Sequence, residues 1–172
     1  LGDNYRFIPS GGCWIKSEDQ KVHDKFKLVS IIASFKRQLT GHKLRHDTIS
    51  QFRGKMDVLG NGYKQIPFKI DGLREYMFSV IIENCKRDYY FTEKLIDCLA
   101  TGTVPIYWGC PSIGDYFNEK GFIMVDSVSD IGEALSKITP EMYQKMLPYI
   151  EANLEKAKEF LLPDEWVYNK IK

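Results

Sequence analysis

Short apolar runs alternate with stretches of helical periodicity along most of the chain. Five apolar runs have the length and composition of buried strands, at 28–34, 56–60, 78–83, 104–108 and 121–126. The segments between and after them predict helices at 42–52, 71–76, 92–99, 128–137 and 140–160. Strands that alternate with helices form parallel βαβ units. The pattern therefore predicts an α/β domain with a Rossmann-like, doubly wound, mainly parallel sheet.

A few residues mark where these elements begin and end. Thr92 is a suitable N-cap for the helix at 92–99, and Gly102 can take the left-handed position that follows it. Pro148 should break or kink the last helix, because proline has no backbone N–H. Residues 1–27 are polar, so we expect a linker or irregular segment there and one domain over 28–172.

Composition and charge argue against several classes of protein. The 172 residues are 44% hydrophobic and 27% charged, with a formal net charge of +1. Nucleic-acid binders usually carry a strong basic excess, so we expect no nucleic-acid partner. No apolar run approaches the roughly 18 residues of a membrane span, and no secretory leader is recognisable. The four cysteines form no CxxC pair, which favours reduced thiols and a cytoplasmic protein.

Polar residues that could bind a ligand concentrate after two of the predicted strands, at 34–45 and 83–94. Ligands of open α/β sheets bind outside the carboxyl ends of the strands. The second stretch runs into a helix N-terminus, where free N–H groups and the helix dipole favour anions. Lys94 in that first turn opposes the dipole. Either a bound phosphate removes this conflict, or Lys94 points to solvent and Glu93 supplies the favourable charge.

Familiar phosphate-binding motifs are missing from the sequence. No GxGxxG follows the first predicted strand, and no GxxxxGK[ST] occurs, which argues against dinucleotide enzymes and P-loop NTPases. No Asp-x-Asp pair follows a strand, so a divalent cation that bridges a diphosphate has no evident ligands. We therefore expect no metal and no cofactor, and Arg and Lys would meet the charge of a diphosphate.

Three blocks of sequence resemble a known family. Residues 83–85 read Glu-Asn-Cys, 88–95 read Asp-Tyr-Tyr-Phe-Thr-Glu-Lys-Leu, and 102–109 read Gly-Thr-Val-Pro-Ile-Tyr-Trp-Gly. They are similar in order and spacing to the E-N-S, Y-x-T-E-K and G-T-x-P-x-Y-x-G blocks of the family-ten alpha-1,3/4-fucosyltransferases. A weaker similarity covers 28–126. Cys85 replaces the usual serine, a change between small residues from which we expect little effect.

The resemblance implies a fold, a donor and a set of site residues. The family has a two-domain GT-B fold, and these blocks belong to its donor-binding C-terminal half, with GDP-fucose as the donor. By resemblance, Arg45 and Lys94 bind the diphosphate, Glu93 takes hydroxyls of the ribose or fucose, and Asn84 and Tyr90 line the same pocket. Catalysis would be inverting transfer to a glycan acceptor, with Glu93, Lys94 and Arg45 acting on the donor and no metal required.

Some alternatives stay open at this point. Lys43 or Arg37 can hold the role given to Arg45, whose match is looser. The family's acceptor-binding N-terminal domain, which supplies the catalytic base, is too large to be formed by residues 1–27. The chain is therefore expected to be a donor-binding part with little activity alone, or else a non-catalytic nucleotide-sugar binding module. An interaction domain that has lost its ligand is a third reading, disfavoured by the intact Glu93 and Lys94.

Aromatic and histidine residues outside the motifs allow weaker predictions. Tyr107 is expected in the core, whereas Trp108 and Trp14 are candidates for stacking on a base or sugar. His42 and His46 are possible acid-base groups, but isolated histidines are more often surface residues, which is the role expected here.

Overall fold

Five parallel strands and four α-helices make up the fold in the computed structural model, which describes residues 12–162 and 167–168. The strands are β1 (Lys27–Ile32), β2 (Asp57–Leu59), β3 (Tyr76–Ile82), β4 (Val104–Trp108) and β5 (Ile123–Met124). The helices are α1 (Thr40–Phe52), α2 (Glu93–Ala100), α3 (Val128–Lys137) and α4 (Pro140–Ala157). The predicted α/β alternation is confirmed.

The strand order in the sheet is β2-β1-β3-β4-β5, and every neighbouring pair is parallel. In β3, Val80 lies opposite Ile31 of β1 and Ile106 of β4. The chain leaves β1 toward one edge to form β2 and then returns to add β3 on the other side. This reversal creates a topological switch point between β1 and β3, where open α/β sheets bind ligands.

Alternate residues of the central strands pack into two separate cores. Phe78 and Val80 of β3 join a cluster on one face with residues of α1, α3 and α4. Ile81 of β3 and Tyr107 of β4 join the other cluster, together with Leu95 and its neighbours on α2. Both faces of the sheet are covered, which explains why these strands read as nearly continuous apolar runs.

Both predicted boundary signals of α2 are confirmed. The Thr92 side chain accepts a hydrogen bond from the backbone N–H of Lys94, which is the geometry of an N-cap. Gly102 follows the helix with φ of 68°, the left-handed conformation that favours glycine. These two residues fix where α2 begins and how the chain turns toward β4.

Three local predictions are wrong in detail. The helix predicted at 71–76 is a 3-10 turn at Lys69–Gly72. Tyr76 is buried and already belongs to β3, where it pairs with Lys27 of β1. The strand predicted at 121–126 shrinks to β5, since a 3-10 turn occupies Glu119–Gly121. Pro148 does not break α4, because buried residues on both sides of it, including Met146 and Ile150, hold the helix in the core, and the alternative of a kink stays a prediction.

The segment before β1 is only partly within the described residues. Residues 1–11 lie outside them, and the linker predicted at 1–27 stays a prediction. Residues 12–26 contain a 3-10 turn at Ser17–Asp19, and Ile15 is buried in the core that α2 forms. This part of the chain therefore packs onto the domain.

Two further properties concern the described residues as a set. None of the helices in 12–162 and 167–168 is long and apolar enough to cross a membrane. The four cysteines have free thiols, with Cys98 and Cys110 buried.

Candidate functional site

The two polar strand exits predicted from the sequence meet at the switch point. Gly41, in the first turn of α1, donates its N–H to the Asn84 carbonyl oxygen over 3.0 Å. A Cβ atom at position 41 would lie 1.7 Å from the Glu83 carbonyl oxygen, so only glycine allows this approach. The N-terminus of α1 thus rests directly on the chain leaving β3.

A pocket of about 630 Å³ opens where these exits meet. All five residues predicted to form the donor site line it, namely Arg45, Asn84, Tyr90, Glu93 and Lys94. Of the alternatives to Arg45, Lys43 and Arg37 are exposed and lie outside this lining. The geometry therefore favours Arg45, while the roles of the five residues stay predictions.

Glu83 organises the floor of the site at the end of β3. Its fully buried carboxylate accepts hydrogen bonds from the Thr92 N–H over 2.8 Å and from the Thr92 hydroxyl over 2.7 Å. Burial raises the pKa of Glu83, and the charge of Lys94 and the two Thr92 bonds act in the opposite direction. Glu83 is thus a structural residue that holds the N-cap of α2 in place.

Lys94 turns back over the N-terminus of its own helix. Its Nζ donates to the Thr92 hydroxyl over 2.9 Å and lies 3.4 Å from Glu93 Oε1 and 3.6 Å from Glu83 Oε2. The side chain is 24% exposed, so it does not simply point to solvent. Neighbouring carboxylates offset the unfavourable helix dipole even without a ligand, an arrangement that neither sequence-based alternative included.

Glu93 lies between two ammonium groups. Its Oε1 atom is 3.4 Å from Lys94 Nζ and 3.5 Å from Lys69 Nζ. Burial alone would raise the pKa of Glu93, but the two lysines and the hydrogen bonds hold it below its ordinary value. At neutral pH Glu93 is a carboxylate, which accepts hydrogen bonds from hydroxyls and does not donate a proton.

Arg45 supplies a fixed positive charge beneath the pocket. It is only 7% exposed, and its Nη2 donates to the Ile82 carbonyl oxygen over 2.6 Å. Burial lowers the pKa of Arg45, whereas Glu83 and Glu93 oppose this shift. A guanidinium group remains charged in proteins and has five N–H donors. One donor anchors Arg45 to the end of β3, and the residue lines the pocket.

Both α1 histidines are buried, so the prediction that they lie on the surface is wrong. His42 is 6% exposed, lines the pocket, and its Nδ1 accepts the N–H of Leu39 over 3.3 Å. Burial and the charges of Arg45 and Lys36 lower the pKa of His42, so it is neutral at neutral pH. His46 bonds the Lys36 carbonyl oxygen and the Tyr63 hydroxyl, which fixes the loop after β1.

The aromatic candidates divide between core and surface. Tyr107 is buried, as predicted, and its hydroxyl accepts the N–H of Cys110 over 3.1 Å. Trp108 packs in the core and does not line the pocket. Trp14 is 73% exposed, and Lys69 Nζ lies 5.0 Å from its ring centroid. Tyr90 stays protonated, since burial and Glu83 raise its pKa.

Two residues of the predicted 34–45 exit were given no individual role at this site, and Lys69 was not anticipated at all. Lys36 lines the pocket from the loop after β1, and Ser34 lies beside it. Lys69 reaches Glu93 from the 3-10 turn before β3. Lys36 and Ser34 lay within the predicted 34–45 exit, so their position at the strand end was an available signal. Lys69 belongs to no motif, and only the fold brings it there.

No metal centre is evident in the part of the chain that the structure describes. Its His, Cys, Asp and Glu residues include no group of three or more that could hold a metal ion. The cations of Lys36, Arg45 and Lys94 are the positive charges that line the pocket.

The fold and the pocket together define a Rossmann-like domain with a cationic ligand site at its switch point. The family model for glycosyltransferase family 10 (fucosyltransferase), C-terminal part, matches residues 20–151. The chain therefore belongs to this fucosyltransferase family, and the resemblance carried by the three sequence blocks is confirmed.

Individual relatives match over shorter stretches. The alpha-(1,3)-fucosyltransferase FucT of Helicobacter pylori is 40% identical over 70 residues, which are 41% of this chain and 15% of that protein. The GDP-fucose protein O-fucosyltransferase 3 of Bos taurus is 40% identical over 67 residues, 38% of this chain and 14% of that protein. Both relatives are named as fucosyltransferases, and the chain matches only a small part of the length of each.

Solved GT-B structures of alpha1,3-fucosyltransferases share the α/β fold of this chain, whereas its role as the donor-binding half stays a prediction. The crystal structure of an alpha1,3-fucosyltransferase with GDP aligns with a TM-score of 0.58 at 23% identity, covering 78% of this chain and 45% of that one. The crystal structure of an alpha1,3-fucosyltransferase with GDP-fucose aligns with a TM-score of 0.57 at 24% identity, covering 78% of this chain and 46% of that one. The chain thus spans less than half of the matched structures.

Proposed function

We propose that this chain binds GDP-fucose and serves as the donor-binding part of an inverting fucosyltransferase. The observation that carries the proposal is the convergence of Arg45, Glu93 and Lys94 on one pocket at the switch point of the sheet. Membership of the fucosyltransferase family and the fold shared with structures that hold GDP or GDP-fucose support the same donor.

The charges of the pocket suit a departing diphosphate. In the proposed reaction an acceptor hydroxyl attacks the anomeric carbon of fucose while the bond from that carbon to the diphosphate oxygen breaks. The bonding electrons leave with GDP, and the hydroxyl proton passes to a base. Negative charge grows on the diphosphate, so the fixed cations Arg45 and Lys94 stabilise the transition state more than the bound donor.

Donor binding requires Lys94 to change its partners. Its ammonium group is shared among the Thr92 hydroxyl, Glu83 and Glu93. A diphosphate at the N-terminus of α2 offers stronger, charge-assisted bonds to the same ammonium group. Glu83 stays satisfied by Thr92 when Lys94 turns away, and Glu93 becomes available to hydroxyls of the ribose or fucose.

The proposal includes no metal ion. Lys36, Arg45 and Lys94 already supply positive charge along the pocket, so the diphosphate needs no bridging divalent cation. Binding should therefore be the same in the presence of a chelator and of Mn²⁺.

A second candidate is a nucleotide-sugar binding module that does not catalyse transfer. It is favoured by the two carboxylates at the pocket, because both are already engaged, Glu83 by Thr92 and Glu93 by two lysines. Neither is free to deprotonate an acceptor hydroxyl, because Thr92 keeps Glu83 and the hydroxyls of the bound donor would take Glu93. We propose that the base and the acceptor site, whether for a glycan or another acceptor, belong to a further domain.

Calorimetry and a transfer assay distinguish these functions. Titration of the chain with GDP and GDP-fucose tests donor binding, and GDP-mannose tests whether the sugar is recognised. Binding of GDP-fucose together with transfer by a longer protein containing this domain supports the enzyme. Binding without transfer in such a protein supports the module, and absence of binding contradicts both.

A further inference from the structure

A buried carboxylate lies one helical turn behind Glu93. Asp97 is on α2, its side chain is 1% exposed, and each of its oxygens has a close partner. Oδ1 accepts the backbone N–H of Trp14 over 2.7 Å, and Oδ2 accepts a bond from Lys69 Nζ over 2.7 Å. A buried carboxylate is costly unless it is paired, so Asp97 holds Lys69 firmly in this position.

Lys69 connects this buried carboxylate to the donor pocket. Its Nζ lies 2.7 Å from Asp97, 3.5 Å from Glu93 and 5.0 Å from the ring centroid of Trp14. Lys69 also lines a space of about 190 Å³ together with Arg45, Glu93 and Lys94. Its ammonium group thus faces one buried acid, one pocket acid and one aromatic ring.

We propose that Lys69, held by Asp97, is a positioning residue that keeps Glu93 ionised and oriented toward the donor. The proposal rests on the proposed function, in which the diphosphate draws Lys94 away from Glu93. Lys69 cannot follow, since leaving Asp97 would strand a buried charge. It therefore remains the permanent cationic partner of Glu93 while the donor is bound.

Two different tasks separate the two lysines around Glu93. Lys94 is shared among a hydroxyl and two carboxylates at 2.9 to 3.6 Å and can exchange them for phosphate oxygens. Lys69 makes its shortest contact with Asp97, whose other carboxylate oxygen accepts the backbone N–H of Trp14. A direct role of Lys69 on the diphosphate is the competing explanation, and a double-mutant cycle separates the two.

The first experiment measures the pKa of the Glu93 carboxyl group in the chain without donor. The carboxyl pKa of Glu93 is measured by carbon-13 NMR in the wild-type chain and in Lys69→Gln and Lys69→Arg variants, with unchanged spectra elsewhere as the test of folding. Three other charged groups near Glu93 are left in place, namely Lys94, Glu83 and Arg45. Lys69→Gln also removes the cationic partner of Asp97, and Lys69→Arg keeps a cation there as the matched control.

We expect the pKa of Glu93 to rise in Lys69→Gln and to stay low in Lys69→Arg, because only the second keeps a cation. The same pKa in wild type and Lys69→Gln would overturn the proposal. This outcome is independent of whether GDP-fucose is the donor, so it can fail while the proposed function stands, and the reverse also holds.

The second experiment measures GDP-fucose affinity in Lys69→Gln, Glu93→Gln and the double variant, with Lys86→Gln as the control. Lys86 pairs with Asp126 and is outside the pocket. Lys69→Gln should weaken binding about three- to tenfold, the range of one hydrogen bond, and should have no further effect once Glu93 is glutamine. An equal loss in both backgrounds would mean that Lys69 contacts the donor directly and would refute a positioning role.

Discussion

Two lysines at opposite ends of the sheet show how differently the same side chain is used. At the carboxyl ends of the strands, Lys94 Nζ is shared between the Thr92 hydroxyl and two carboxylates. At the amino ends, Lys25 Nζ donates to the carbonyl oxygens of Leu73 and Thr101 and to the Thr103 hydroxyl, over 2.8 to 3.2 Å.

The difference lies in what each ammonium group would lose by moving. The three bonds of Lys25 join the chain before β1, β3 and β4. They use all three donors of its ammonium form, and burial lowers the pKa of Lys25 to about 7. Lys94 instead sits beside carboxylates that keep other partners when it leaves, since Glu83 retains Thr92. At the amino ends of the strands Lys25 therefore contributes to stability, whereas at the carboxyl ends Lys94 can turn to a ligand.

The largest effect we expect is the near absence of fucose transfer by this chain alone. The carboxyl end supplies cations for the leaving diphosphate, but Glu83 and Glu93 are engaged, so among the described residues neither carboxylate is left as a base for the acceptor. A missing base lowers the rate about a hundred- to ten-thousandfold, and lost acceptor positioning lowers it further. A transfer assay with several acceptors measures this. Turnover near one per second, an ordinary enzyme rate, would contradict it.

At the amino ends of the strands, substitution of Lys25 should lower the free energy of unfolding and leave GDP affinity unchanged. Lys25→Met leaves the oxygens of Leu73, Thr101 and Thr103 without this donor, so we expect a loss of about 2–4 kcal/mol in the free energy of unfolding. Urea denaturation measures the loss, and calorimetry at a temperature where the variant is folded should show unchanged GDP affinity. Lost GDP affinity with an unchanged free energy of unfolding would contradict the assignment of Lys25 to stability.

The carboxyl end should show the opposite pattern in Lys94→Ala. We expect GDP affinity to fall by about 1.5–3 kcal/mol, the scale of a charge-assisted hydrogen bond. The free energy of unfolding should change much less, because Thr92 still satisfies Glu83. Lys86→Ala is the control, since Lys86 is exposed and pairs with Asp126 outside the pocket. Equal losses in both variants would indicate diffuse attraction and no specific pocket.

The smallest effect concerns His42 and the pH dependence of stability. Its pKa is lowered in the folded chain, so the unfolded chain binds more protons as the pH falls below about 6.5. The thermal midpoint should therefore decrease with pH in this range, and less so in His42→Gln. His23→Gln serves as a control for a second histidine outside the pocket. Identical pH curves for wild type and His42→Gln would show that His42 does not contribute.

Much of the fold could be read from the sequence because periodicity and local signals agree. The buried strands are short apolar runs, and Thr92 and Gly102 mark α2 by their own backbone chemistry. The predictions failed where tertiary packing decides the outcome. Burial keeps Pro148 within α4. Tyr76, predicted to be helical, lies in β3 because it pairs with Lys27 of β1.

The candidate site was predictable to the extent that its residues follow strands or belong to motifs. Arg45, Asn84, Tyr90, Glu93 and Lys94 fall into one pocket because both strand exits meet at the switch point. Lys69 and Asp97 had no such signal. Their contact joins a turn before β3 to the middle of α2, which only the packing of the chain brings together. The absence of a metal and the cytoplasmic location stay predictions.

The most direct test of a metal-independent GDP-fucose site is calorimetric titration of the wild-type chain in excess chelator. We predict saturable binding of GDP-fucose with one site per chain, the same affinity after addition of Mn²⁺, and weaker binding in Lys94→Ala. Binding that disappears in chelator and returns with Mn²⁺ would contradict the cationic pocket, and no binding under either condition would contradict the donor site itself.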